Sequence, residues 1–144
     1  MATDEHITHS ADETIALGRK LAPSLKNARI VILRGDLGAG KTTLVKGIAE
    51  GLQVASQDEV TSPTFTLIHE FRGGEVNLFH VDLYRVETAR ELDTLGLDEL
   101  FAEDGNLVLL EWGEKFPRLV KERAVEISIA RVTDQERKIV VQGK

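Results

Sequence analysis

Residues 34–43 read RGDLGAGKTT and combine three glycines with one lysine and two threonines. Glycine brings no side chain to a hydrophobic core, but it allows backbone angles that other residues rarely adopt. Such a loop can turn successive N–H groups towards one anion, while the lysine adds a positive charge. The stretch therefore indicates a site that binds phosphate.

The spacing within this stretch makes the chemistry more specific. Four residues separate Gly35 from Gly40, and Lys41 and Thr42 follow directly, which is the P-loop pattern. In a P-loop the lysine reaches the β- and γ-phosphates, and the hydroxyl after it ligates Mg²⁺. We expect nucleotide contacts from Asp36, Leu37, Gly38, Ala39, Gly40, Lys41, Thr42 and Thr43.

The residues on either side of the loop can position it. Residues 30–33 are an unbroken apolar run, as expected for a strand buried in a parallel sheet. After the loop, Leu44, Ile48 and Leu52 recur every four residues, which predicts a helix that ends near Gly51. The N-terminus of that helix would direct its positive dipole at the phosphate.

Two further apolar runs end in a carboxylate. Residues 78–82 end in Asp82, the Walker B form, although His80 interrupts the run, and residues 107–111, which end in Glu111, are the cleaner example. Parallel strands beside the P-loop strand would bring both acids to the same sheet edge as Lys41. Both are candidates for catalysis and for the contact to Mg²⁺.

The four histidines show no metal-ligand spacing, so we expect structural or surface roles for them. They are His6, His9, His69 and His80.

The rest of the chain predicts short helices and strands around this centre. The predicted helices are residues 14–25, with Pro23 suggesting an early end, and residues 89–101. The other predicted strands are residues 66–71, 76–81, 125–129 and 138–141, with a hairpin turn at residues 72–75. We expect one α/β domain over residues 1–144, with three layers and a mixed sheet.

Composition excludes several classes of function. There is no cysteine, so disulfides, thiolate zinc sites and cysteine nucleophiles are excluded. The net charge is −6, with 18 basic against 24 acidic residues, unlike a protein that grips nucleic acid by itself. No apolar run approaches 18 residues and no basic leader is visible, so we expect a cytoplasmic protein without membrane contact.

The motifs that are present and absent predict which base the nucleotide carries. No Asn/Thr-Lys-x-Asp element of guanine-specific proteins occurs in the chain, so ATP is favoured. Residues 93–96 spell the D-x-x-G of GTPases, but they lie in a helix-like segment. We interpret that match as accidental.

Several motifs occur together with the P-loop in a fixed order. They are residues 62–65 (SPTF), residues 80–85 (HVDLYR) and residues 111–112 (EW). In this order and spacing, from about Thr14 to the final strands, the chain resembles the bacterial TsaE family.

This resemblance implies a small cytoplasmic ATPase that uses ATP and Mg²⁺. TsaE-like proteins are needed for the N6-threonylcarbamoyladenosine modification at position 37 of tRNA. They act on the TsaB–TsaD heterodimer and are thought to reset it between turnovers. Contact with tRNA would be indirect, through that partner complex.

The resemblance also implies roles for individual residues. Lys41 and Thr42 serve the phosphates and Mg²⁺, Glu111 is the second metal contact, Asp82 is the Walker B acid, and Thr64 is a switch residue. Arg85 and Trp112 respond to the partner or the nucleotide.

For the adenine, the resemblance implicates residues 8–11 and 133–137. From these we select Ser10 and Arg137.

Two other functions fit the same motifs. In a small-molecule kinase, Asp82 would activate an acceptor hydroxyl, but residues 87–101 hold only one arginine for a lid. In a nucleotide-dependent assembly factor, ATP binding would matter and hydrolysis would be incidental.

Overall fold

A computed structural model describes residues 3–36, 38–62 and 67–143 of the chain. The strands are β1 (Thr3–Thr8), β2 (Ile30–Arg34), β3 (Ile68–Phe71), β4 (Asn77–Asp82), β5 (Asn106–Glu111), β6 (Val125–Arg131) and β7 (Arg137–Gly143). The helices are α1 (Ala11–Leu25), α2 (Lys41–Gly51), α3 (Ala89–Asp93), α4 (Leu97–Ala102) and α5 (Pro117–Glu122), with 3₁₀ turns at Gln57–Glu59 and Gly113–Lys115. Among these helices, none combines the length and the apolar character needed to cross a membrane.

The strands form one seven-stranded mixed sheet in the order β1-β7-β6-β2-β5-β4-β3. Its centre is parallel, because β2 pairs with β5 and β6 and β4 pairs with β5 in that sense. Antiparallel strands extend it on both sides: β3 beside β4, and β7 and β1 beyond β6. The parallel centre with antiparallel additions confirms the predicted fold class.

Helices α1 and α2 cover one face of the sheet and bury the larger apolar cluster. The two helices approach at backbone distance, because glycines lie where they meet. A Cβ built on Gly47 would lie 2.0 Å from the Ile15 carbonyl oxygen, and one on Gly18 would lie 2.5 Å from the Leu44 carbonyl oxygen. The body of α2 is therefore fixed against α1 by close packing.

Helices α3, α4 and α5 cover the other face, over a second apolar cluster. Leu92, Leu97 and Leu119 from these helices pack with Ile32 and Leu110 of the central strands. The central strands are buried on both faces, which explains their unbroken apolar sequences.

The early end predicted for the first helix is wrong. Ser10 is its N-cap, with its Oγ accepting a hydrogen bond from the Glu13 N–H at 3.1 Å, and the helix continues past Pro23 to Leu25. A proline so close to the C-terminus removes a single hydrogen bond. Burial of Ala22 and Leu25 offsets that loss.

The single helix predicted over residues 89–101 is also wrong. It is divided into α3 and α4, because Gly96 adopts a φ of 69° and starts a new helix. Helix α5 and strand β1 were not predicted, since α5 has only six residues and β1 carries few apolar ones. The remaining predicted strands agree with the structure to within about two residues.

Candidate nucleotide-binding site

The register of the sheet brings the two acids to one edge. Asp82 ends β4 and lies opposite Glu111, which ends β5. Glu111 in turn lies opposite Leu33 on β2, just before the P-loop. Parallel strands thus present both carboxylates beside the loop, as the sequence predicted.

The loop itself depends on glycine at its junction with α2. Gly40 is the residue before the helix and has a φ of 108°, a left-handed conformation that side chains with a Cβ rarely adopt. This turn places Lys41 in the first position of α2, at the positive end of the helix dipole.

Lys41 is buried, and its ammonium group has three neighbours. Its Nζ donates a hydrogen bond to the Gly35 carbonyl oxygen at 2.6 Å. The same atom lies 3.5 Å from Glu111 Oε1 and 4.5 Å from the centre of the Trp112 ring. The lysine is thereby held at the mouth of the loop, between the loop and the end of β5.

Glu111 is only 4% exposed and is contacted through both of its oxygens. Oε2 accepts a hydrogen bond from His80 Nε2, and Oε1 faces Lys41. Burial raises the pKa of Glu111, but the His80 and Lys41 contacts outweigh burial and leave the pKa below its ordinary value. The side chain is therefore a carboxylate at neutral pH.

Asp82 is buried as well and is 3% exposed. Its Oδ1 accepts a hydrogen bond from the Tyr84 N–H at 2.8 Å, so it also shapes the turn after β4. Lys115 holds the same turn, because its Nζ donates to the carbonyls of Leu83, Tyr84 and Val86 at 3.1, 2.9 and 2.7 Å. The segments that follow Asp82 and Glu111 are thus tied together.

Trp112 directly follows Glu111 and adopts a positive φ of 64°. Its ring lies against Lys41 on one side and packs with Tyr84, whose ring centre is 5.2 Å away. Arg85 is exposed in the turn after β4. Arg85 is not among the residues that line the cavity beside Lys41.

Lys41, Asp82 and Glu111 line a cavity of about 390 Å³, which we call the phosphate cavity. It is lined by Gly38, Gly40, Lys41, Thr42, Thr43, Ser62, Asp82, Glu111 and Arg137.

A smaller cavity of about 210 Å³, the side cavity, adjoins it and shares three of its residues. The side cavity is lined by Ser10, Ala11, Thr14, Gly40, Thr43, Asp134, Gln135 and Arg137.

Arg137 lies between the two cavities and connects the last hairpin to the P-loop. Its Nε donates to the Ala39 carbonyl oxygen at 2.8 Å. Its Nη1 donates to the carbonyls of Thr133 and Glu136, both at 3.0 Å. Strand β7 thereby contributes one wall of both cavities.

The largest of the three cavities, about 640 Å³, is an open groove on the outer side of the loop, against β6. It is lined by Asp36 and Ala39 but by neither Lys41 nor the two acids. Cavity volume alone therefore does not identify the site that could do chemistry here.

Most of the predicted site residues come together. Eight of them line the phosphate cavity, and Ser10 lines the side cavity. Arg85 lines neither of these cavities, and Asp36 lines the open groove against β6. Leu37 and Thr64 lie outside the described residues, as do Pro63 and Phe65 of the SPTF segment.

A structural or surface role was expected for His80, and its contact with Glu111 was not predicted. His80 is fully buried and touches Glu111. The signal was its position two residues before Asp82 in a strand, because such residues share a face of the sheet.

The chain matches known proteins of a single family. The family model described as "Threonylcarbamoyl adenosine biosynthesis protein TsaE" matches residues 8–139. The chain is 42% identical over 132 residues to the tRNA threonylcarbamoyladenosine biosynthesis protein TsaE of Bacillus subtilis (strain 168), covering 92% of this chain and 80% of that one. It is 36% identical over 135 residues to the protein of the same name from Treponema pallidum (strain Nichols), covering 94% and 97%.

A solved structure has the same fold. The crystal structure of Bacillus subtilis YdiB superposes with a TM-score of 0.72 at 35% identity, covering 99% of this chain and 86% of that one. The chain therefore belongs to the TsaE family, whose role is in tRNA threonylcarbamoyladenosine biosynthesis.

Proposed function

We propose that this protein binds and hydrolyses ATP with Mg²⁺ and thereby drives the TsaB–TsaD complex through repeated rounds of tRNA modification. One observation carries the proposal. Lys41, Asp82 and Glu111 converge on a single cavity at the mouth of a P-loop. P-loop enzymes that hydrolyse nucleotides use a phosphate-binding lysine together with acidic residues that hold Mg²⁺.

The charges around the phosphate cavity support phosphate binding. The Lys41 ammonium is held by a carbonyl, a carboxylate and an aromatic ring. A nucleotide phosphate would add several charged oxygen acceptors beside this ammonium, and charge-assisted hydrogen bonds between a lysine and a phosphate are short and strong. The N–H groups at the start of α2 would add to that attraction.

The residues at this edge also fit a magnesium ion. Thr42, Asp82 and Glu111 offer hydroxyl and carboxylate oxygens, the hard ligands that Mg²⁺ prefers. In the described ranges no cluster of three or more His, Cys, Asp or Glu side chains could hold a metal. One or two carboxylates are the usual protein share of a site where Mg²⁺ binds together with phosphates. When bound, Mg²⁺ neutralises charge on those phosphates.

We assign the side cavity to the base of the nucleotide. It adjoins the phosphate cavity through Gly40, Thr43 and Arg137. Ser10 and Thr14, at the start of α1, form its opposite wall. A base in this cavity would lie between the first helix and the last hairpin, where Ser10 and Arg137 can contact it.

The proposed partner follows from family membership and charge. The chain is acidic, with a net charge of −6, so it is poorly suited to hold the tRNA backbone itself. An ATPase that acts on another protein complex does not need to hold the tRNA itself. The TsaB–TsaD pair would then contact the tRNA, and this subunit would supply the energy.

The test measures ATP hydrolysis by the protein alone and with purified TsaB–TsaD, together with tRNA modification over many turnovers. We expect slow hydrolysis alone and stimulation by the pair. Lys41→Ala should lower stimulated hydrolysis about 100-fold, because a preorganised charge at the phosphates is lost. The same variant should stop modification after the first turnover.

Lys46→Ala is the matched control, because Lys46 is on the same helix and does not line the phosphate cavity. It should behave like the unaltered protein. Normal modification over many turnovers by Lys41→Ala would contradict the proposal. Full support of many turnovers by a non-hydrolysable ATP analogue would favour an assembly factor instead.

A further inference from the structure

His80 is a fully buried polar side chain between the buried apolar residues Phe79 and Val81 of β4. Leu78, His80 and Asp82 alternate along β4 and therefore share one face of the sheet. That face is covered by α1 and α2, and β5 presents Glu111 on it. Burying an imidazole there costs free energy unless it makes a hydrogen bond.

The hydrogen bond that His80 makes is to Glu111. Nε2 contacts Glu111 Oε2, and because a carboxylate only accepts, Nε2 carries the proton. Within residues 3–36, 38–62 and 67–143, Nδ1 has no hydrogen-bond partner. The hydrogen bond that the His80 ring makes in the described residues is therefore the one to Glu111 Oε2.

That contact fixes the orientation of Glu111. A free glutamate side chain has three rotatable bonds, and fixing them costs conformational entropy. Here Oε2 is held by His80 while Oε1 faces Lys41 at 3.5 Å. A second carboxylate, Asp82, lies directly opposite on the neighbouring strand. His80, two residues before Asp82 on the same strand, therefore holds one oxygen of Glu111 beside that second acid.

We propose that His80 is a positioning residue that holds the Glu111 carboxylate where it can serve a magnesium ion bound with the nucleotide. The inference rests on the proposed function, because it assumes that Mg·ATP binds in the phosphate cavity. His80 itself touches neither nucleotide nor metal. Partners of this kind are worth about 10–100-fold in metal affinity or activity.

The test measures the affinity for ATP by calorimetry, once with Mg²⁺ and once with EDTA. The ratio of the two dissociation constants is the metal-dependent gain. His80→Leu should lower this gain about tenfold. The affinity in EDTA should stay within about twofold of the unaltered protein, since His80 lines neither cavity.

Two amide variants separate positioning from packing. The amide nitrogen of Gln can reach the place of Nε2, while that of Asn reaches only the place of Nδ1. His80→Gln should therefore recover most of the gain, and His80→Asn should not. Thermal unfolding of each variant will show whether it folds. If the leucine variant does not fold, the comparison of His80→Gln with His80→Asn still tests whether His80 positions Glu111.

Two further measurements complete the experiment. In a Glu111→Gln background, His80→Asn should cause no additional loss, because residues that act through one contact are not additive. His69 lies opposite His80 on β3 and contacts Phe71 at a ring distance of 6.2 Å. His69→Gln is thus the matched histidine control, and it should keep the full metal-dependent gain.

The inference is overturned if folded His80→Asn keeps the gain within twofold, or if its loss is equally large with and without the Glu111 carboxylate. Either result would leave Mg·ATP binding by the unaltered protein intact, so the proposed function would survive. If the unaltered protein shows no metal-dependent gain, the proposed function itself fails and the inference fails with it.

Discussion

The first turn of α2 and the rest of the same helix are held in different ways. The first turn follows Gly40, with its left-handed φ, and contains Lys41 among a carbonyl, a carboxylate and an aromatic ring. The rest of the helix lies against α1, and Gly47 there has a helical backbone but no room for a side chain. Glycine is required at the first place for conformation and at the second for space.

Within this one helix, the first turn serves the proposed binding and the rest serves the stability of the fold. Polar, directional contacts at the first turn leave Lys41 able to exchange its partners for a ligand. Close packing further along the helix fixes the position of that turn relative to the sheet. Substitutions in the body of α2 should therefore change the free energy of unfolding, and substitutions at its start should mainly change nucleotide affinity.

The largest effect should come from Gly47→Ala. A Cβ there would lie 2.0 Å from the Ile15 carbonyl oxygen, so α1 and α2 must move apart. We expect a loss of about 3 kcal/mol in the free energy of unfolding, although alanine is normally the better helix former. Chemical denaturation should detect the loss, together with a midpoint temperature lower by roughly 10 °C.

The other close glycines provide a graded series for this test. The nearest atom to an added Cβ would lie at 2.5 Å for Gly18 and at 2.7 Å for Gly51, so their alanine variants should lose less stability in that order. A Gly47→Ala protein with an unchanged free energy of unfolding but a lost affinity for nucleotide would contradict this division between the body and the first turn of α2.

Gly40→Ala should have the next largest effect, and mainly on binding. Its Cβ would lie 3.3 Å from Ile129 Cδ1 and 3.5 Å from Arg137 Nε. The left-handed φ would cost about 1–2 kcal/mol of stability. Displacement of the loop N–H groups should weaken ATP binding about tenfold or more, as expected when one charge-assisted hydrogen bond is lost. Calorimetric titration with ATP measures the affinity.

Gly105→Ala is the matched control for backbone strain. Gly105 has a φ of 87°, and a Cβ there would meet nothing within 4 Å. It should lose a similar amount of stability and keep its affinity for ATP. Equal losses of affinity in both variants would show that strain alone, and not the loop, is responsible.

The smallest effect is a difference in pH dependence. Because the pKa of Glu111 is lowered in the folded protein, its ionised form stabilises the fold above its unfolded-state pKa. That contribution is lost as the pH falls through the folded pKa. The unfolding free energy of the unaltered protein minus that of Glu111→Gln should therefore be larger at pH 7 than at pH 3.

The body of α2 should not share this behaviour. No ionisable group is involved where Gly47 meets Ile15, so the loss caused by Gly47→Ala should be the same at both pH values. A Glu111→Gln difference that does not change with pH would mean that the contacts to His80 and Lys41 add no net stability.

Local patterns were sufficient to predict the centre of the fold and much of the site. The apolar runs that become β2 and β5, and the glycine spacing before Lys41, are contiguous in sequence and need no information about distant partners. Asp82 and Glu111 were predicted at one edge because parallel strands end on the same side.

What was missed depends on contacts between distant segments. Strand β1 exists because it pairs with β7, and its own residues carry little strand signal. The extent of α1 past Pro23 depends on burial of Ala22 and Leu25. The contact of His80 with Glu111 joins residues 31 positions apart, which a motif search along the chain does not connect.

The position of β1 in the sheet has a consequence for how the protein is made. In the described sheet β1 is an edge strand, and its one neighbour is β7. Thr3 pairs with Gln142, so β1 cannot join the sheet until β7 has been synthesised. Arg137, at the start of β7, also forms the wall behind the P-loop. On the ribosome, the two cavities would therefore lack this wall until β7 has emerged. The proposed binding of ATP would then be complete only in a chain whose synthesis has passed that strand.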